Sequence, residues 1–500
     1  MTELSRIEAL LDEPGLAREI AEIEKRPPIG VRPRQCSVRT LLFGMLACVA
    51  GGHQSAHLTA SHAALCDLSP ADKVRLGVVA TWRTGPHTLT YRQIEYTMGR
   101  LGGALRAELL DGAPSKRLQA LCDALLEASI ALSYKNAASS YAIDWTDVPS
   151  FSRPPSEKDG PCGDPEASWG HRRGDGPGQA DELFFGYYAS LMTMVRNEHG
   201  AGVPELIRRA QLTSCRHDPV PSFVGVVTAS AAKGVVVYDL LADSGYSYKI
   251  RHFAIPLRRA GARLIVDLHP FDRGPKGTYA GAICHNGNLY CPATPRALFE
   301  LGPLARGTPE AEIAAHDRKA AELSRYKLSR LTADDPDGYH RVCCPAEMGK
   351  LACPLRAASM TLDRNRPEIF SPPEHPPTCC TQKSVTIPPQ VNAKTAQRHD
   401  YPSPAHRHSY GRRSAVERSN SRLKDPSGIN LDVRGWCKLM GVTPLALFVA
   451  CACVVVNFGL IDAFEAHKVE EARRTTPAEP RPRRRRRRTL ADLAAANAPP

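Results

Sequence analysis

Apolar residues recur at intervals of three and four in LSRIEALL, VRTLLFGMLACVA and LQALCDALLEASIAL, a spacing that predicts amphipathic helices. TYRQIEYTMGRLGGAL adds a capping box, Thr90 to Gln93, ahead of Ile94, Met98, Leu101 and Leu105. Residues 1–134 therefore read as a helical N-terminal domain. Near residue 138 the pattern changes. SSYAIDWTDV is a β-rich run ending in carboxylates, and a Pro/Gly/charge-rich loop follows from Pro149 to about Asp181. ELFFGYYASLMTMV, VVVYDLLADSGYS and ARLIVDL read as strands, and Pro221 to Ala232 as a short helix or turn. Strands joined by helical segments predict an α/β sheet over residues 135–269. Residues 270–405 are irregular and rich in Pro and Cys, as expected of an insertion. Helical pattern resumes at Tyr410 and continues through LALFVACACVVVNFGLI, residues 445–461, so that residues 406–469 complete the α/β domain.

Length and charge narrow the class. Five hundred residues suffice for two or three domains with a large core. A formal charge of +13 points to an acidic partner, of which nucleic acid is the commonest. After about residue 470 a disordered tail is expected, because six consecutive arginines at 483–488 cannot bury a core. The N-terminal MTELSRIEALLDEPGLAREI lacks the basic-then-apolar layout of a secretory signal, which predicts a cytoplasmic protein. The apolar stretch at 445–461 is at the lower length limit for a membrane span, and Asn457 interrupts it; it reads as a buried core helix, with no membrane partner. The chain contains no G-x4-G-K-[ST] phosphate loop, no H-E-x-x-H and no G-x-S-x-G elbow.

Candidate chemistry starts at SYGRRSAVERSNSRLKD, residues 409–425, a basic segment with Glu417 inside it. On a helix of about 100° per residue, Tyr410, Arg413, Glu417 and Lys424 fall within roughly 60° of one another. One face then carries an aromatic hydroxyl, two cations and a carboxylate, which suits phosphate binding beside a metal ligand. A single carboxylate does not hold a pair of Mg2+ ions, so partners are needed. Asp144 in AIDWTDV and Asp243 just past VVVYDLLA have the right setting, with Asp147 and Asp239 as rivals.

Asp144, Asp243 in its DSGY context, and Tyr410-x2-Arg413-x3-Glu417-x6-Lys424 resemble the DDE transposases of bacterial insertion sequences, in the branch with the YREK signature. GDPEASWGHRRG followed by FFGYYASL is also similar to the segment between the first two strands in that family. The resemblance implies a ribonuclease H-like mixed sheet flanked by helices and a Mg2+-dependent enzyme, Mn2+ able to substitute, that cuts DNA and transfers strands. It implies Asp144, Asp243 and Glu417 as metal ligands, and Tyr410, Arg413 and Lys424 as DNA-backbone contacts. Its implied partners are double-stranded DNA, both inverted-repeat ends and target, and a second copy in a homodimer on DNA, near the nucleoid. The N-terminal helices would bind the element's ends. The alternative is an inactive or repurposed transposase that acts as a sequence-specific DNA-binding protein.

The spacing fits an insertion, irregular or, as the resemblance implies, β-rich and gripping DNA near the cut, since 99 residues separate Asp144 from Asp243 and 174 separate Asp243 from Glu417. CHNGNLYC, CCPAEMGKLAC and PPTCC cluster thiols near Pro and Gly turns within it. No pair has C-x2-C spacing; a structural Zn2+ would draw its ligands from Cys344, Cys353, Cys379 and Cys380, against buried free thiols. His399, His406 and His408 read as solvated or phosphate-facing.

Overall fold

The computed structural model describes residues 2–25, 35–51, 56–82, 85–106, 114–156, 161–172, 180, 182–247, 249–305, 307–360 and 366–475. The arginine run at 483–488 lies outside them.

The N-terminal part is helical, as its periodicity predicts: α1 (Glu3–Leu11), α2 (Pro14–Glu24), α3 (Val38–Ala50), α4 (Leu58–Cys66), α5 (Pro70–Arg75), α6 (Tyr91–Arg106) and α7 (Lys116–Ser129). Starts are set by side-chain caps: Ser37, Ser69 and Ser115 each accept a backbone N–H from the first turn of the helix that follows. At α6 the Gln93 side chain accepts the Thr90 N–H at 2.7 Å, half of the expected capping box. A hairpin of β1 (Val79–Trp82) and β2 (Gly85–Thr88), which the helical pattern does not predict, joins α5 to α6.

The central sheet has six strands: β3 (Ser140–Pro149), β4 (Ser168–Arg172), β5 (Glu182–Val195), β6 (Ile207–Ser214), β7 (Asp239–Ala242) and β8 (Arg263–Val266). Long β5 pairs antiparallel with β3 along one edge; its other edge is shared by β4 and then β6. On the far side of β3, β7 and β8 follow in parallel. The mixed sheet is thus flanked by helices, as expected. The loop expected over 149–181 contains β4, and β6 has no apolar signature because Arg208 and Arg209 sit in it. Both are buried, and Glu127 of α7 accepts from both guanidinia, so the strand survives its charges.

Alternation separates two cores. Tyr141, Ile143, Leu240, Ala242, Leu264 and Val266 face α8 (Pro219–Ala232), the short α9 (Ser244–Ser247) and α10 (Ile255–Arg259). Ala142, Leu241 and Ile265 face the other layer. There the apolar faces of the N-terminal helices join the same core as the sheet.

The insertion carries two three-stranded sheets, β9 (Pro275–Tyr279), β10 (Ala282–His285) and β11 (Asn288–Tyr290), then β12 (Ser329–Arg330), β13 (His340–Cys343) and β14 (Val385–Ile387). Helices α11 (Glu310–Arg325), α12 (Ala357–Met360) and α13 (Thr378–Thr381) lie between these strands. After it come α14 (Pro404–Tyr410), α15 (Ser414–Lys424) and α16 (Val442–Thr475). Helix α16 is long and apolar enough to cross a membrane, and 72% of its apolar window is buried within the protein. Asn457 is fully buried and caps no end; its side chain bonds both the N–H and the C=O of Ile207 and the Ser129 hydroxyl. The tail expected from residue 470 instead begins as the last turns of this helix.

Candidate carboxylate site

Strands β3 and β7 are parallel neighbours with Ala142 opposite Leu241. Two residues further along each, alternation returns side chains to the same face, so Asp144 and Asp243 emerge side by side toward the layer that holds α15. Helix α15 packs on β3 and β5 through Ala415, Val416 and Leu423. That packing turns Arg413, Glu417 and Asn420 toward the two aspartates.

The meeting point is one guanidinium. Arg413 bonds Glu417 Oε1 at 2.5 Å and Asp144 Oδ2 at 3.2 Å, and lies 3.8 Å from Asp243 Oδ2. The expected Asp144, Asp243 and Glu417 are therefore brought together. Their side chains are 16%, 35% and 56% exposed, so the site is deep at Asp144 and open at Glu417. Burial pushes the Asp144 carboxyl up to about 7, which Asp243 reinforces and Arg413 opposes. Burial works against the Arg413 charge, yet Asp144 and the neighbouring groups hold it firmly protonated.

The other expected residues differ in placement. Tyr410 is largely enclosed, stacked on His406 with centroids 5.6 Å apart, and burial raises its hydroxyl. Lys424 bonds Asp147 at 2.7 Å, and Arg172 of β4 holds the same carboxylate. Burial alone would raise Asp147, but these two cations keep it below the usual range. Asp239 is 1% exposed and meets Arg263, Arg398 and Arg412. Both rivals are thus spoken for by fixed cations.

Three expectations need correction. The segment 410–424 is not one helix: Tyr410 ends α14, residues 411–413 form a 3-10 turn, and α15 starts at Ser414. The break lets consecutive Arg412 and Arg413 reach two different aspartates, Asp239 at the start of β7 and Asp243 just past its end. His406 is buried, its Nε2 3.0 Å from the Val266 carbonyl, and burial lowers it to about 4. His399 pairs with Glu198 at 3.0 Å, so neither histidine is solvated or free for phosphate.

Sequence reasoning missed Asn420 and the pair Trp145 and Tyr246. Asn420 Nδ2 lies 3.3 Å from Asp144 Oδ2, and its Oδ1 is buried with no partner among the described residues. Its position three after Glu417 was the available signal. Tyr246, of the DSGY segment, packs its ring 4.6 Å from Trp145 and floors the site with a buried, unpartnered hydroxyl.

Among the described residues no three His, Cys, Asp or Glu side chains are set as a ready metal-ligand group, the carboxylates and thiols included. At the carboxylate site Arg413 takes the central position. The donor set itself fits Mg2+: three carboxylates and the orphaned Asn420 oxygen are all hard ligands. No family model matches the chain, and no curated protein matches its sequence.

Proposed function

We propose that the protein is a DDE-type DNA transposase with a ribonuclease H-like catalytic domain. It would cleave phosphodiester bonds at the ends of a mobile element and join the 3′ hydroxyl ends to target DNA. The observation that carries this reading is the convergence of Asp144, Asp243 and Glu417, from two parallel strands and a packed helix, on Arg413. The mixed sheet flanked by helices is compatible with the fold, and the overall basic charge with a polyanionic substrate.

Asp144, Asp243 and Glu417 would hold Mg2+, with Asn420 adding an oxygen. Held by these residues, two such ions would supply activation of the attacking oxygen and stabilisation of the leaving one in an in-line displacement. Arg413 then gives up the carboxylates and pairs with a backbone phosphate, which orients the scissile bond. Trp145 and Tyr246 close the floor against water. Lys424, moored to Asp147, meets the backbone further along. Joining two ends calls for a homodimer on DNA.

The test uses purified protein, Mg2+, and DNA carrying the sequence on both sides of its coding region, where inverted repeats are expected. Cutting at those ends is expected, and Asp144→Asn, Asp243→Asn and Glu417→Gln should each abolish it while binding persists. Undiminished cutting by all three variants removes the site assignment, and binding without cutting by the wild type under Mg2+ or Mn2+ favours the non-catalytic alternative.

A further inference from the structure

The insertion is built from short strands and two modest cores, and one core counts Cys291, Cys344 and Cys353 among its buried members. All three open the same local motif, Cys-Pro-x-x: CPAT, CPAE and CPLR. Each closes as a turn in which the cysteine carbonyl accepts an N–H three residues on, from Thr294 at 3.0 Å, Glu347 at 3.1 Å and Arg356 at 2.8 Å. Proline at the second position suits such turns. In each turn a second N–H, of Ala293, Ala346 or Leu355, is aimed back at the cysteine sulfur. Burial is the larger effect and raises all three thiols, so these donors do not ionise them by themselves; outer-shell donors of this kind orient a ligand sulfur once a cation is bound.

A fourth sulfur comes from α13. Cys379 and Cys380 are buried with their sulfurs 4.0 Å apart. Either sulfur can donate to the other. Cys380 is also near enough to act on Cys291, Cys344 and Cys353 alike, and Cys344 and Cys353 act on Cys291 in turn. Four sulfurs from four separated segments thus share one neighbourhood. Cys284 and Cys343, buried in the same insertion, have no such turn.

We propose that Cys291, Cys344, Cys353 and Cys380 bind one structural Zn2+ as four thiolates, pinning the two halves of the insertion together. As they stand the four sulfurs are not arranged as a ligand group, so binding has to draw them in to a ligand distance of about 2.3 Å. Binding releases each remaining thiol proton to solvent. Four protein sulfurs leave no open position, so the ion does no chemistry. It replaces apolar core that this small module does not have. Cys291 takes the place that spacing alone gives to Cys379.

Elemental analysis of the full chain, purified under reductant without chelator, should find zinc equimolar with protein. Protein produced with Co2+ should show the charge-transfer and ligand-field bands of tetrahedral tetrathiolate cobalt. Cys291→Ser and Cys353→Ser should lose the metal, and Cys379→Ser and Cys284→Ser should keep it. Wild type without zinc overturns the proposal, as does loss of metal in Cys379→Ser with retention in Cys291→Ser. Should the ligand variants fail to fold, the cobalt spectrum of the wild type still decides, since fewer than four thiolates overturns it. The outcome is independent of DNA cutting.

Discussion

Asp239 opens β7 and Asp243 follows its last residue, four positions on, and consecutive arginines, Arg412 and Arg413, reach one each. Around Asp239 the cations are in excess: Arg263, Arg398 and Arg412 converge on it, with Glu198 balancing Arg398 from behind. Around Asp243 the ratio inverts, and Asp144, Asp243 and Glu417 share Arg413 alone. The first cluster is sealed and saturated, which makes it an anchor for the 3-10 turn. The second is open at Glu417 and short of positive charge, and an open site with surplus carboxylates is one that recruits cations.

Breaking the anchor should have the largest effect. Asp239→Ala leaves the buried Arg412 and the partly buried Arg263 and Arg398 without their shared carboxylate, and a loss of about 3–5 kcal/mol is expected in urea unfolding. Asp243→Asn, four residues away but half-open, should change stability little. Equal losses would mean that the two clusters do not differ in kind.

How much of this the sequence carried depends on where its signals lie. Asp144 and Asp243 were legible because each ends an apolar run at a strand's C-terminal end, and alternation then decides their face. Glu417 was legible through its spacing from Arg413 and Tyr410, although the helix assumed for that spacing is broken. The break had one weak signal, Gly411, a poor helix former; the inward pull on Arg412 comes from the buried Asp239, which the sequence does not show. Strand β6 was not legible, since its arginines look like surface until Glu127 is seen to meet them. Tertiary partners for charged residues are invisible to periodicity.

The second prediction removes the shared cation. Arg413→Gln leaves three carboxylates facing one another, so metal-free protein should lose about 1–3 kcal/mol, from the unpaired buried charge. Mg2+ should then raise its Tm by more than it raises that of the wild type, because no guanidinium has to be displaced. An equal increment in both would place the ion elsewhere. A third follows from Asp144. Its carboxyl is raised from the ordinary 3.8 to about 7 in the folded protein. The raised group favours folding fully below about pH 4, and that contribution is lost as pH climbs through about 7. Without metal, Asp144→Asn should therefore gain on the wild type across that window, by at most about 1.4 kcal/mol per pH unit. A difference in Tm that stays flat from pH 4 to 8 would contradict it.

The smallest effect belongs to Lys424. Its ammonium shares the Asp147 carboxylate with Arg172, so Lys424→Met leaves that carboxylate still paired. The pair is partly buried, and a cost of about 1 kcal/mol is expected in urea unfolding, well below that of Asp239→Ala. If Lys424 also meets the DNA backbone beyond the cut, the variant should weaken binding to all sequences alike and lower the slope of log K against log salt by about one phosphate contact. Unchanged binding with the small stability loss would make Lys424 a tether for α15 alone, and would move the saturated kind of cluster one step closer to Asp144, Asp243 and Glu417.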